Sequence, residues 1–293
     1  MFARSCPGEL RAGYVFRSTP IDKTGVLMFA RACPHDLVRL AFVSRVRVQW
    51  SAVQRFLCVW LVGLGLAGSG CVDRGDSLYD WDQRTVVCSE PIDDLTTRVD
   101  RGFINDMLDR AAQHGQVATL HAHIPGETIS ASWLETVLTR ANDDGLELLT
   151  YADLATGPPR AGVALAFDDE AIDAWYELRD QLAQHHAHVT FFVTRWQTSW
   201  SDADKAKLAE LVALGHGVEP HSVNHLHARA YVRKHGLDAY IADEVVPSID
   251  EMRAAGYPPT VFAFPFGETS PEITAAVLEH IGRVRVSPGS CPY

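Results

Sequence analysis

The order of elements along the chain predicts an α/β fold whose parallel sheet is closed, or nearly closed, into a distorted (β/α) barrel. Three observations carry this expectation. Strand-like and helix-like segments alternate from about residue 85 to residue 286 with short breaks between them. The number of such units suits a barrel. Two adjacent carboxylates, Asp168 and Asp169, follow directly on one strand-like run, and the C-terminal ends of strands are where barrels carry their functional groups.

Each element has its own justification. T-V-V-C at 85–88 reads as a short strand. Residues 99–113 place Ile104, Met107, Leu108 and Ala111 on one helical stripe, which stops at Gly115. V-A-T-L-H at 117–121 is a strand. Ser132, with Glu135 three residues on, has the pattern of a capping box opening a helix that ends at Gly145. A strand at 146–150 and a break at T-G-P-P-R, 156–160, follow. Then come a strand at 162–167, a helix at 171–184, a strand at 188–193 and a helix at 202–214 with Gly215 past its end. Trp175 has helical spacing with Ile172 and Leu178 and reads as core. A helix at 237–255, a strand at 261–264, a helix at 271–281 and a strand at 283–286 complete the series.

Charge narrows the function classes. Of 26 basic and 37 acidic side chains, nine and three fall in residues 1–70, so the remainder carries 17 and 34. A body this acidic is a poor partner for nucleic acid, whose binding depends on neutralising phosphates.

Two segments carry chemistry: A-L-A-F-D-D-E at 164–170 and E-P-H-S-V-N-H at 219–225. His221 and His225 are four residues apart, so on a helical turn both imidazoles would project from one face. A carboxylate with two imidazoles suits Zn²⁺ or a similar divalent ion, and three protein ligands leave a coordination position open, as catalytic sites do. The second carboxylate is then free to act as a general base, which points to a hydrolase. Taken singly, each segment is weak, since Asp pairs cap helices and His-x-x-x-His occurs by coincidence. Their conjunction at strand ends is what assigns the site. The chain has no C-x-x-C spacing, so a thiolate zinc site is not expected. His185, His186, His188 and His227 receive no role.

These residues resemble the NodB-type polysaccharide deacetylases (carbohydrate esterase family 4). The family's T-F-D-D-G stands here as A-F-D-D-E, which implies Asp168 as catalytic base and Asp169 as metal ligand. H-[ST]-x-x-H matches in full, implying His221 and His225 as the other ligands. R-x-P-x-G corresponds to A-F-P-F-G at 263–267. There Pro265, Phe266 and Gly267 form the substrate and oxyanion wall, with the Phe266 N–H as donor, while Ala263 replaces the arginine that steadies the base. D-W-D, Asp80, Trp81 and Asp82, resembles the fourth motif. G-Q-V-A-T-L-H-A-H at 115–123 resembles the fifth, whose histidine is the general acid. His121 and His123 both qualify; counting from Gly115 favours His121, and place at the strand end favours His123. Because the last two motifs precede the first, the resemblance, over roughly residues 78–290, implies a circularly permuted domain.

The N-terminal part reads separately. Arg45, Arg47 and Arg55 precede an apolar run at 56–67 that ends in G-S-G before Cys71. At about a dozen residues the run is short of the roughly 20 that a spanning helix needs. The segment 45–71 resembles a bacterial lipoprotein signal in which Cys71 is lipidated, apart from Gly68 where an aliphatic residue is preferred; a plain cleaved signal is the alternative. Residues 1–44, in which M-F-A-R-S-C-P recurs as M-F-A-R-A-C-P, read as an extension or a mis-assigned start. The expected catalytic domain is 72–293, exported to the cell envelope and membrane-anchored, or else secreted. If Cys71 carries lipid, Cys88 and Cys291 remain as a pair in an oxidising compartment, and a disulfide between them would join the permuted ends.

The implied function is a divalent-metal hydrolase, with Zn²⁺ the preferred ion, that removes acetyl groups from a glycan. Two alternatives stand beside it: a non-catalytic glycan-binding lipoprotein on the same fold, and a hydrolase of a non-glycan C–N bond.

Overall fold

The structure, a computed structural model, describes residues 77–292. The signal-like segment 45–71, its Cys71 and the extension 1–44 lie outside the described residues. Among the described residues there are ten strands: β1 (Leu78–Tyr79), β2 (Val86–Cys88), β3 (Glu90–Pro91), β4 (Val117–Ala122), β5 (Glu147–Leu149), β6 (Gly162–Asp169), β7 (Thr190–Val193), β8 (Gly217–Pro220), β9 (Val261–Ala263) and β10 (Arg283–Val286). They form two sheets. The larger runs β1-β4-β6-β7-β8, with β3 added to β4 and β5 to β6; the smaller runs β2-β10-β9. Every pairing is parallel except β1 with β4.

The expected α/β class with a parallel sheet is present, but the strands do not close into one hydrogen-bonded ring. The sheets meet along the segment 86–91, which pairs with β10 before Ser89 and with β4 after it. Between β8 and β9 there is no ladder. Instead the buried Glu219 carboxylate accepts from the backbone N–H groups of Thr260 (2.8 Å) and Val261 (3.0 Å) and from the Thr260 hydroxyl (2.6 Å). A side chain thus satisfies edge donors that a neighbouring strand would otherwise take. Burial pushes the Glu219 carboxyl up to about 7.

Side-chain alternation sorts the core. On β6, Val163, Leu165 and Phe167 face an outer layer with Leu108, Leu134 and Leu211 from the helices. Ala164 and Ala166 face an inner cluster with Val87, Phe192, Val261 and Ala263. A third layer packs Phe262, Phe264, Val284 and Val286 against Ile249, Ile273 and Val277. With a period of two, Asp168 continues the inner row of β6, and His121 and His123 continue that of β4.

Several expected elements differ in detail. The Glu135-containing helix (Ala131–Asp143) is capped by Ser130, whose side chain accepts from the Trp133 N–H, and Ser132 lies inside the helix. The expected helix at 171–184 is two short ones, Ile172–Glu177 and Arg179–Gln184. That at 237–255 contains a π-turn at Ile241–Val245. No helix of the described residues is long and apolar enough to cross a membrane.

Candidate metal and active site

The first wall of the site is the end of β6. Asp168 is buried, and its Oδ2 accepts from Arg285 Nη2 at 2.6 Å. Burial alone would raise the Asp168 carboxyl, but the Arg285 guanidinium, and after it His221, His121 and His123, hold it below the usual carboxylate range. Its Oδ1 has no hydrogen-bond partner among the described residues. Asp169 takes a left-handed backbone (φ 85°), which turns its carboxylate toward β8 rather than along the strand.

There it meets two histidines. Asp169 Oδ1 lies 3.0 Å from His225 Nε2 and 3.6 Å from His221 Nε2, and one ligand atom from each of the three residues falls within 4.8 Å of the others. The His221 Nδ1–H donates to the Ala263 carbonyl at 2.9 Å. That bond fixes the tautomer and leaves Nε2 as a lone pair facing Asp169. Burial pushes His221 down to about 4, so it is neutral, the form that ligates metal. Burial alone would raise Asp169, but the hydrogen bond to His225 and the charge of His221 hold it far below the usual range. An ionised carboxylate and imidazole nitrogens converging in this way fit a divalent cation.

The expectation that His221 and His225 share a helical turn is corrected. Residues 221–225 form a loop after β8, with Ser222 (φ 65°) and His225 (φ 57°) in left-handed conformations that no helix accommodates. The loop is held from below. The Ser222 hydroxyl accepts from the His225 N–H at 3.0 Å. Buried Glu244 accepts from the Asn224 backbone (2.8 Å) and side chain (2.7 Å). The rings of His221 and His225 still come within 4.9 Å, centroid to centroid.

The histidines of β4 separate into different roles. His121 is buried, with Nδ1 3.0 Å from the Ser89 hydroxyl. Burial first, and then the Arg285 charge, drives it well below its ordinary value, so it has no proton to give. His123, about a third exposed, donates from Nδ1 to buried Asp93 Oδ2 at 2.7 Å. Burial alone would lower it, but the Asp93 hydrogen bond and the charges of Asp168, Asp93 and Asp169 push it up to about 9. Asp93 Oδ1 also accepts from the His123 N–H (3.0 Å) and the Thr128 hydroxyl (2.5 Å), and Trp175 Nε1–H holds the His123 carbonyl at 2.9 Å. Trp175 is thus both core, as expected, and an anchor for this turn.

Asp80, Trp81 and Asp82 do not join the site. Asp80 accepts from Gln116, just before β4, and Trp81 Nε1–H donates to the Arg160 carbonyl, just before β6. Asp80 and Asp82 pair with Arg84. All three residues therefore sit at the N-terminal ends of the strands, opposite Asp168. The carboxylate that does support the candidate acid is Asp93, one of two residues the sequence reading missed. Asp93 and Asp94 form a second Asp pair, in E-P-I-D-D, which no motif singles out, and only the pairing of β3 with β4 brings Asp93 to His123. The other is Arg285; alternation within R-V-R-V puts both arginines on one face and both valines on the other, without saying which face lines the site.

The last wall is 263–267. Phe266 is half exposed and left-handed (φ 58°), its ring stacked on His227 at 3.7 Å. No hydrogen bond among those of the described residues holds its backbone N–H. Pro265 and Gly267 are buried. Gly267 (φ 60°) must be glycine, because a Cβ there would lie 2.6 Å from the Ser287 backbone nitrogen. At the far side of the smaller sheet Cys88 and Cys291 are disulfide-bonded, with Cα atoms 5.8 Å apart.

Residues 156–283 match the family model described as polysaccharide deacetylase. No curated protein matches the chain. Among solved structures, the chain is similar to IcaB from Ammonifex degensii, at 18% identity and a TM-score of 0.46 over 58% of this chain and 83% of that one. It is similar to the Streptococcus pyogenes deacetylase PplD at 19% identity and a TM-score of 0.39 over 52% and 80%. For a family 4 carbohydrate esterase from Streptomyces lividans the figures are 24%, 0.35, 42% and 60%. Over residues 156–283, which carry the paired carboxylates, both loop histidines and the A-F-P-F-G wall, the chain is similar to the polysaccharide deacetylases, a family of hydrolases.

Proposed function

We propose that the protein hydrolyses acetyl groups from a glycan, with Asp169, His221 and His225 as metal ligands, Asp168 as base and His123 as acid. One observation carries this reading. An ionised, buried carboxylate, a three-ligand cluster and a histidine poised to hold a proton stand together at the C-terminal ends of β6, β8 and β4. A divalent cation, of which Zn²⁺ suits this donor set best, supplies Lewis-acid polarisation and acidifies water when bound there. Asp168 takes the proton of the attacking water, the Phe266 N–H donates to the developing oxyanion, and His123, oriented by Asp93, protonates the departing nitrogen or oxygen. His121, buried and neutral, is left as a neighbour of Ser89.

The order of elements supports a permuted domain: the strands that carry Asp93 and His123 precede Asp168 in the chain, and β2 pairs with β10. Membrane attachment through Cys71 is a separate proposal, resting on the sequence of 45–71 alone.

The test is metal analysis coupled to acetate release from chitin oligomers. Asp169→Ala, His221→Ala and His225→Ala should each lose metal and turnover together, whereas Asp168→Asn should keep metal and lose turnover by about 100-fold or more. Stoichiometric metal in both histidine variants would overturn the ligand assignment. Oligomer binding without acetate release by metal-loaded protein would leave a binding protein on a hydrolase fold.

A further inference from the structure

Position 263 lacks the arginine that the family resemblance leads one to expect beside the base, yet the base is not alone. Arg285, 1% exposed, reaches Asp168 from β10, and in the β10–β9 ladder Arg285 is the register partner of Ala263. Adjacent strands lie about 4.8 Å apart, and register partners project to the same face of the sheet. Side chains at 263 and 285 therefore enter the inner space side by side. The methyl of Ala263 leaves that space to the guanidinium, which lies over the Phe192 ring with its carbon 4.9 Å from the centroid.

We propose that Arg285 is the positioning residue for Asp168, a role transferred from one strand to its neighbour, and that it selects which carboxylate oxygen acts. This rests on the deacetylase reading above. Arg285 occupies Oδ2, and Oδ1 has no hydrogen-bond partner among the described residues, so Oδ1 is the atom that accepts the proton. In the step, a water O–H bond breaks, its proton goes to Asp168 Oδ1, and the water oxygen forms a bond to the acetyl carbonyl carbon, whose π electrons move onto the carbonyl oxygen. When the carbonyl re-forms, the C–N or C–O bond to the sugar breaks and the sugar heteroatom takes a proton from His123. The single Nη2–Oδ2 bond, from a buried guanidinium on the middle strand of the smaller sheet, favours this orientation of the carboxylate over the one with its two oxygens exchanged.

The test compares the metal-loaded full chain with Arg285→Ala, Arg285→Lys and the double variant Ala263→Arg/Arg285→Ala, measuring bound metal, kcat and KM on acetylated chito-oligosaccharides. Loss of a charged hydrogen bond predicts a kcat for Arg285→Ala lower by about 30-fold, with metal retained and KM within about threefold. Guanidinium ion in the buffer, and the double variant, should each restore much of the loss, which a purely structural role would not allow. Arg285→Lys should fall between. An Arg285→Ala enzyme within about twofold of wild type, a folded double variant with no recovery, or failure of both alanine-bearing variants to fold would each overturn the proposal. A wild-type chain that releases no acetate would instead sink the deacetylase reading. The clamp is then still tested by NMR, which should detect an Arg285 guanidinium signal protected from exchange that disappears in Asp168→Asn; lack of protection in wild type overturns it.

Discussion

The Asp93–His123 pair makes a sharp prediction about pH. Asp93→Asn keeps the shape of the side chain, and its amide oxygen can still accept from the His123 N–H and the Thr128 hydroxyl, as Oδ1 does now. What is lost is the negative charge 2.7 Å from His123 Nδ1. His123 stands at about 9 against an ordinary 6.5, raised by three carboxylates of which only Asp93 is hydrogen-bonded to it. A cation held by Asp169 would neutralise one of the other two, leaving Asp93 as the principal cause. Its removal should bring His123 back to roughly 7. The sign follows from the role: an acid is loaded below its pKa, so activity falls as pH rises through that value. With a pKa of about 9, about nine-tenths of the enzyme holds the proton at pH 8; with a pKa of about 7, about one-tenth does. The basic limb of kcat/KM should therefore move down by nearly two pH units, with a loss of about tenfold at pH 8 and less than about twofold at pH 6. The assay is acetate release from pH 5.5 to 9.5 with bound metal checked at each end. Coincident basic limbs in wild type and Asp93→Asn would refute the assignment of His123 as acid and of Asp93 as its support.

Two further outcomes are expected. Cys88→Ser and Cys291→Ser should each lower the thermal midpoint without abolishing turnover at room temperature. The residues are 203 apart in sequence, and the chain-entropy model sets a ceiling on the order of 5 kcal/mol for so long a loop; an unchanged midpoint in both variants would show the bond to be idle. If Cys71 carries lipid, cells fed labelled palmitate should label the wild-type chain and not Cys71→Ala, and equal labelling of both would remove the anchor.

What was legible in the sequence was whatever a short segment encodes by itself. A strand that ends in Asp168-Asp169 and a His-Ser-x-x-His run are local signals, and both residues of each pair reach the site. The conformation of the second was not legible, because spacing of four is satisfied equally by a helical turn and by a loop. Left-handed Ser222 and His225, with Asn224 between them pinned by Glu244 from an element 20 residues on, decide for the loop. Arg285 and Asp93 were invisible for a different reason. Each matters only through a partner on another strand, Ala263 and Asp168 for the one, His123 for the other. The error at Asp80-Trp81-Asp82 has the opposite origin: a three-residue likeness was read without its context, and Gln116 and Arg160 tie it to the wrong end of the sheet. Of the closed or nearly closed barrel expected from the β/α count, the nearly closed form is the one that fits, because Glu219, a side chain, substitutes for a ladder between β8 and β9.

The pairing of β2 with β10 also sets a timetable. Val86 must wait for Val284, 198 residues later, before the smaller sheet has its middle strand. A ribosome that has just delivered His225 has made all three cluster ligands but not the strand that clamps the base. Pairing between such distant segments is slow to form, because the closure entropy falls due before any contact rewards it. An emerging chain can therefore build the outer layer of β4, β6 and β7 early, while the Asp168 carboxylate gains its guanidinium only with the last strand. A chain cut short before residue 283 would leave Asp168 without Arg285, and would leave β9, whose Ala263 carbonyl orients His221, without its pairing strand.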